Sequence, residues 1–267
     1  MNKKLWTIIG LGLVLSFPSF GGDLNIYADK QVEIHQNEQK LVALGNAKAT
    51  QDGRTVIADK LTAYYQKTPA GKTTFSKLQA NGNVKADIQN SKAFGEEMIY
   101  DLSKDEVTLT GKPGKIINPN GDIITAEKNI IYYPQQNKAI ANGNVIAYNK
   151  DNKVHADKMI SYFKKNAKGE SEIDKIEIFG HVKINTKDAE ATSDRGTYLP
   201  QIGLVQLHDN VVINQQGNII RGSYAETDLN TGISKMKSGT NGKRVSGVFK
   251  STKDKADKRA EENKNGN

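Results

Sequence analysis

Apolar and polar residues alternate in short runs along most of the chain. Val84, Ala86 and Ile88 form one such run, Val182 and Ile184 a second, and Val211 and Ile213 a third. A period of two predicts strands with one buried face. Short polar segments separate the runs: Gln51-Asp52-Gly53, Pro119-Asn120-Gly121, Lys150-Asp151-Asn152 and Gln215-Gln216-Gly217. These suit tight turns, because Gly and Asn accept positive φ. Beyond Pro18, the prolines (Pro69, Pro113, Pro119, Pro134, Pro200) fall in turn-like segments or at strand ends, where a missing N–H is tolerated. From residue 22 onwards no stretch carries a long, capped helical stripe. The pattern predicts an all-β protein.

The alternation is organised in a repeat. Each unit opens with Gly-Asn-Val or a variant, passes a polar turn, reaches an Ala-Asp-Lys-like step and ends near a Tyr. Units begin at Gly45, Gly82, Gly111, Gly143, Gly180 and Asp209, and a half unit opens at Ile26 with Ala28-Asp29-Lys30. The steps between starts are unequal, and their series recurs after 98 residues: Gly45 maps to Gly143, Gly82 to Gly180 and Gly111 to Asp209. A shared order of unequal spacings is hard to obtain by chance. The body, residues 22–249, therefore reads as two related blocks, about 45–142 and 143–240. The Asp of the step (Asp29, Asp59, Asp157, with Glu127 in its place) reads as a repeated corner in which the carboxylate bonds nearby backbone N–H groups.

The two ends differ from the body. Lys3 and Lys4 precede an apolar run, Leu5 to Phe17, and Ser19 and Gly21 sit three and one before a cut at the Gly21–Gly22 bond. This reads as a cleaved secretory signal, residues 1–21. A membrane-spanning anchor needs ~20 apolar residues, and this run is shorter. The tail, residues 250–267, is charged and lacks aromatic and large aliphatic residues beyond Lys250, so it reads as disordered. The whole chain carries a net charge of +8 at a pI near 9.3, and losing Lys3 and Lys4 lowers the charge to +6. Export argues against a nucleic-acid partner and favours a lipid, glycan or envelope surface. Solubility alone also accounts for such a charge.

About a dozen strands at ~4.8 Å spacing make an array ~60 Å long whose units touch mainly their neighbours. The inner face is expected to carry Val56, Ala58, Leu61, Val84, Ala86, Ile88, Ile124, Val145, Ala147, Val154, Ala156, Met159, Val182, Ile184, Val211 and Ile213. Many of these side chains are small. Facing alanines either leave a slot suited to acyl chains, at ~0.8 kcal/mol per buried CH₂, or simply let two sheets pack closely. An array that does not close has a free edge at each end, Ile26 to His35 at one and the strands near Asp209 to Met236 at the other. Free edges accept further strands, so copies joined head to tail can form a continuous trough.

Catalytic and cofactor chemistry finds no support. The chain has no Cys, which removes thiol nucleophiles, disulfides and Cys-based metal sites. No phosphate-binding loop, dinucleotide fingerprint, HExxH or GxSxG is present. His35, His155, His181 and His208 lie in separate units without metal-ligand spacing. No enzyme activity, cofactor or metal is expected. Lys48, Lys85, Lys183 and Arg54 are either solvated or meet lipid phosphates at a groove mouth.

The recurring Gly-Asn-Val-x-Ala and Ala-Asp-x-x-x-Tyr segments, with Arg221-Gly-Ser-Tyr-Ala-Glu-x-Asp-Leu-x-Thr-Gly232, resemble the LptA/OstA family of periplasmic lipopolysaccharide-transport proteins. The resemblance runs from about Asp23 to Met236. It implies a folded-over antiparallel β-jellyroll (a β-taco) open at both ends, with an apolar groove for lipid A. It also implies strand pairing end to end with an inner-membrane complex and an outer-membrane barrel partner. The chain is longer than a compact member, with its doubled block and charged tail. The alternatives are an inner-membrane-anchored sister component, a structural β-repeat surface protein, and a β-helical polysaccharide lyase.

Overall fold

The computed structural model describes residues 24–67, 73–88, 91–149, 152–167, 169, 171–239 and 244–250. The expected signal and almost all of the charged tail lie outside them. Eighteen strands form one continuous antiparallel sheet that is folded over on itself. In the first block these are β1 (Asn25–Tyr27), β2 (Gln31–His35), β3 (Lys40–Gln51), β4 (Arg54–Lys67), β5 (Thr73–Ile88), β6 (Ser91–Asp101), β7 (Glu106–Thr110), β8 (Gly114–Ile117), β9 (Ile123–Ala126) and β10 (Asn129–Tyr133). The second block continues with β11 (Lys138–Asn149), β12 (Asn152–Lys165), β13 (Ser171–Asn185), β14 (Ala189–Leu199), β15 (Leu204–Gln215), β16 (Asn218–Asp228), β17 (Ser234–Lys237) and β18 (Ser246–Val248). The expected dozen strands become eighteen because some strands are cut in two at the fold line.

The long strands bend in their middles, and the repeat marks where. The β3–β4 register shifts between Leu44 and Ala47, β5–β6 between Asn81 and Val84, β11–β12 between Asn142 and Val145, and β13–β14 between Phe179 and Val182. Each shift sits on the Gly-Asn start of a unit. There the chain takes two consecutive left-handed residues, Gly82 at φ +78° and Asn83 at +47° for example. Gly and Asn reach this conformation cheaply; most side chains do not. The Ala-Asp-Lys step is the matching bend of the next strand. Where that strand is broken, as between β1 and β2 or β9 and β10, the step supplies the link. Asp29 N–H then donates to the Gly45 carbonyl (2.8 Å), and Glu127 N–H to that of Gly143 (2.7 Å).

The acid of the step also closes the corner, with a different partner from the backbone N–H groups expected. Asp59 accepts from the Asn83 side chain (2.9 Å), Glu127 from Asn144 (2.6 Å) and Asp194 from Asn210 (2.8 Å), while Asp157 meets His181 Nδ1 at 2.8 Å. Acid and Gly recur together because they touch: a Cβ on Gly82 would lie 2.3 Å from Asp59 Oδ2.

Folding along this line makes two facing layers. The first runs β2, β3, β4, β5, β6, β7, β10, β11, β12, β13, β14, β15, β16, β17, using residues 40–44 of β3, 60–67 of β4 and so on. The second runs β1, β3, β4, β5, β6, β8, β9, β11, β12, β13, β14, β15, β16, β18, using residues 47–51 of β3, 54–58 of β4 and so on. The layers are joined at the corner, and at the opposite side they end in two rows of hairpin turns, here called lips. Backbone hydrogen bonds run along each layer, so what joins the layers away from the corner is side-chain packing.

Candidate functional site

The apolar seam between the layers is the feature that could hold a ligand. Fifteen of the sixteen inner-face residues expected from the alternation are buried in it, from Val56 and Ala58 through Leu61, Val84, Ala86, Ile88, Ile124, Val145, Ala147, Val154, Ala156, Met159, Val182 and Ile184 to Val211. Ile213 is half-buried and packs against the same core. The seam runs through both blocks without interruption. Ala47, Ala58, Ala126 and Ala156 lie next to the corner, where the layers converge and only small side chains fit.

Away from the corner the alanines do not leave an open slot. The interior is filled except for an apolar cavity of about 30 Å³ in the second block. Ala147, Val154 and Ile184 of the second layer line it opposite Met159, Ile178 and Leu207 of the first. The positions 98 residues earlier than Ile178 and Ile184 are Ala80 and Ala86, so the bulkier pair accompanies the void. A cavity of this size holds about one water molecule, far less than an acyl chain. Access for such a ligand requires the lips to part.

An aromatic band lies under the lip of the first layer. Tyr100, Tyr132, Phe163 and Tyr198 face the seam, with Tyr132 and Phe163 edge to face at 6.3 Å. Burial, aided by Asp105, pushes the Tyr132 hydroxyl up to about 12, and burial also raises those of Tyr100 and Tyr198. Arg54, at the lip of the second layer, reaches this band. Burial lowers its guanidinium, against the opposing charges of Asp52 and Tyr100. The lips therefore approach closely enough here for Arg54 and Tyr100 to couple.

Sequence reasoning placed most of the second layer's lining and missed much of the first layer's: Ile176, Ile178, Tyr198, Val205 and Leu207. The period-two spacing of Ile176 with Ile178, and of Val205 with Leu207, was the available signal. The recurring Tyr of each unit splits into two roles. Tyr100, Tyr132 and Tyr198 face the seam. Tyr64, Tyr162 and Tyr224 face outwards, each under a lysine directly opposite on the next strand (Lys77, Lys175, Lys237) at 4.3–5.3 Å from the ring centroid. Such cation–π pairs shield exposed rings. Lys48, Lys85 and Lys183 lie on the outer face of the second layer, and Lys183 pairs with Glu190 at 2.8 Å.

The histidines are scattered. His35 meets Glu33 (2.7 Å), His155 meets Asn144 (2.6 Å), and His208 stacks on Tyr224 at 4.8 Å. Among the described residues no group of three or more His, Asp or Glu could hold a metal. Burial, then the Arg195 charge, holds His208 below its ordinary value of 6.5. The unfolded chain then takes up this proton first as pH falls. Stability from this group is full above about pH 6.5 and declines as pH falls below it. The thermal midpoint should therefore drop between pH 7 and 5, and His208→Phe, which keeps the stack, should flatten that drop. Glu226 and Asp228 are held below their ordinary values by hydrogen bonds, so their loss falls in a lower window, below about 4.5. An unchanged pH 7-to-5 drop in the variant would assign it elsewhere.

A protein-family model described as LptA/(LptD N-terminal domain) LPS transport protein matches residues 25–137 and 123–233. The chain belongs to this family. The two LptA/LptD-type matches overlap over residues 123–137, which contain β9 and β10. That broken strand pair closes the first match and opens the second, as β1 and β2 open the chain. No curated protein matches. Among solved structures, the chain is similar to LptH from Pseudomonas aeruginosa, described as the LptA homologous periplasmic component of the conserved lipopolysaccharide transport device. The identity is 17% and the TM-score 0.43, over 49% of this chain and 95% of that one.

Proposed function

We propose that the chain is a periplasmic carrier of lipopolysaccharide. It is exported by cleavage near Gly21–Gly22, shelters lipid A acyl chains between its layers, and docks end to end with similar folds. It works without catalysis or cofactor. The observation that carries this reading is a continuous apolar seam, in a chain of a lipopolysaccharide-transport family, that runs out at two unpaired sheet ends. Each CH₂ moved from water into the seam contributes ~0.8 kcal/mol, enough to part lips held by side-chain contacts.

The ends support docking. Tyr27 (60% exposed) and Ile34 (66%) mark the β1/β2 edge, and Val248 and Phe249 (69%) mark the β18 edge. Elsewhere comparable positions are covered by the next strand. The chain contains an internal template for such a join: β10 lies antiparallel on β7, with Tyr132 opposite Val107, and β9 on β8, with Ile124 opposite Ile116. Ile34 and Ile26 stand 98 residues before Tyr132 and Ile124. Strand direction alternates through the sheet, so β1/β2 of one molecule can continue β17/β18 of another as an antiparallel neighbour. The partners in this reading are lipopolysaccharide, an inner-membrane complex, an outer-membrane barrel protein and further copies.

Native mass spectrometry of the mature chain with lipopolysaccharide tests the reading. Lipid adducts are expected, and Ile178→Trp, which fills the cavity, should reduce them at least tenfold while β circular dichroism persists. Val32→Lys with Ile34→Lys should leave adducts intact but disperse end-to-end assemblies, since an edge lysine blocks strand addition. A chain that binds no lipid sinks the carrier reading. Assemblies indifferent to the edge lysines sink the docking reading.

A further inference from the structure

The outer face of the second layer carries a row of side chains that the carrier reading does not use. Hydrogen-bonded register places Tyr27, Lys48, Ile57, Lys85, Phe94 and Lys115 side by side on six successive strands. Cations and apolar or aromatic residues alternate without a gap. Neighbouring strands lie ~4.8 Å apart, so the lysines recur about every 10 Å. No acid falls in this row. Among the described residues, Lys48 and Lys85 make no ion pair. Lys115 lies over the Phe94 ring at 4.8 Å. The outer face of the first layer is different: there Lys40, Lys60 and Lys77 stand among Glu33, Glu97, Asp101 and Glu106.

We propose that this row is a binding surface for an extended anionic polysaccharide. The chemistry it fits is a β-linked glycan with one carboxylate per disaccharide. The disaccharide step of such a chain is close to the two-strand repeat, so each acid meets a lysine and each intervening ring lies over Ile57 or Phe94. Charge density separates this partner from nucleic acid, which carries one charge per ~1.7 Å of duplex. Shape separates it from a membrane. Strands twist by ~20–25° each, so the row turns through about 100–125° from Tyr27 to Lys115. A flat bilayer touches part of such a row; a flexible chain follows all of it.

The test uses the full mature chain and hyaluronan oligosaccharides, with neutral chitin oligosaccharides and phosphatidylglycerol vesicles alongside. Hyaluronan should bind at low salt and release as salt rises. Lys48→Glu with Lys85→Glu and Lys115→Glu should weaken binding at least tenfold, with circular dichroism and lipopolysaccharide adducts unchanged. Phe94→Ala alone should weaken it severalfold, and Lys60→Glu with Lys158→Glu on the other face should leave it unchanged. No hyaluronan binding, equal binding of the neutral oligosaccharide, equal loss from the other face, or capture by vesicles without glycan binding would each overturn the proposal. Because lipid adducts are read separately, its failure is distinct from failure of the carrier reading.

Discussion

Clamping the lips together should abolish lipopolysaccharide uptake, and releasing the clamp should restore it. The chain has no native Cys, so introduced thiols react alone. Arg54→Cys with Lys104→Cys places one pair on opposite lips of the first block, beside the Arg54–Tyr100 approach. Asn152→Cys with Ile202→Cys does the same 98 residues later. A reductant-cleavable bismaleimide then ties the layers on the side where only side chains hold them. The seam has one cavity of about 30 Å³, so acyl chains enter only if the layers separate. Lipid adducts in native mass spectra should fall at least tenfold on crosslinking and return on reduction. The uncrosslinked variant, binding like the parent chain, excludes misfolding as the cause. A clamped chain that still takes up lipid would show that lipid does not enter through the lips, and would move the site to the open ends.

The need for opening was not legible in the sequence, and the reason is geometric. Alternation reports which side chains face inwards; it does not report how far apart two layers stand. Ala58 and Ala156 were read as alternative slot-liners or spacers. Both lie next to the corner, where the layers are already in contact. The void lies further out, under Ile178 and Ile184, whose earlier equivalents are alanines. Much else could be read directly. The Gly-Asn and Ala-Asp-Lys segments mark the fold line because bending a strand pair needs left-handed residues on one strand and a shift on its neighbour. The two kinds of bend differ in their effect on facing. Across Gly-Asn the inward set keeps its parity, as in Ala80 to Val84 and Ile178 to Val182. Across Ala-Asp-Lys it changes, as in Ala58 to Leu61 and Ala156 to Met159. A one-residue slip reverses every later side chain, which is why the first layer's lining was harder to assign than the second's.

The corner is also where one substitution should do most harm to the fold. Gly82→Val is expected to destabilise the chain by about 3–5 kcal/mol, combining strain at positive φ for a β-branched residue with a packing clash. Gly82 sits at φ +78°, and an added Cβ would meet Asp59 Oδ2 at 2.3 Å and Asp59 Cγ at 2.9 Å. Asp59 cannot withdraw without losing its hydrogen bond from Asn83. Gly53→Val is the matched control. Its φ of +75° is nearly the same, but nothing lies within 4 Å of the added Cβ, so only the strain remains, about 1–2 kcal/mol. Chemical denaturation of both variants separates conformation from contact. Equal losses would mean that the acid over the glycine contributes nothing to the corner, and that the recurrence of Gly with Asp reflects turn conformation alone. A larger loss at Gly82 would identify the corner contact as what holds the sheet folded, and so as the hinge about which any opening of the seam must turn.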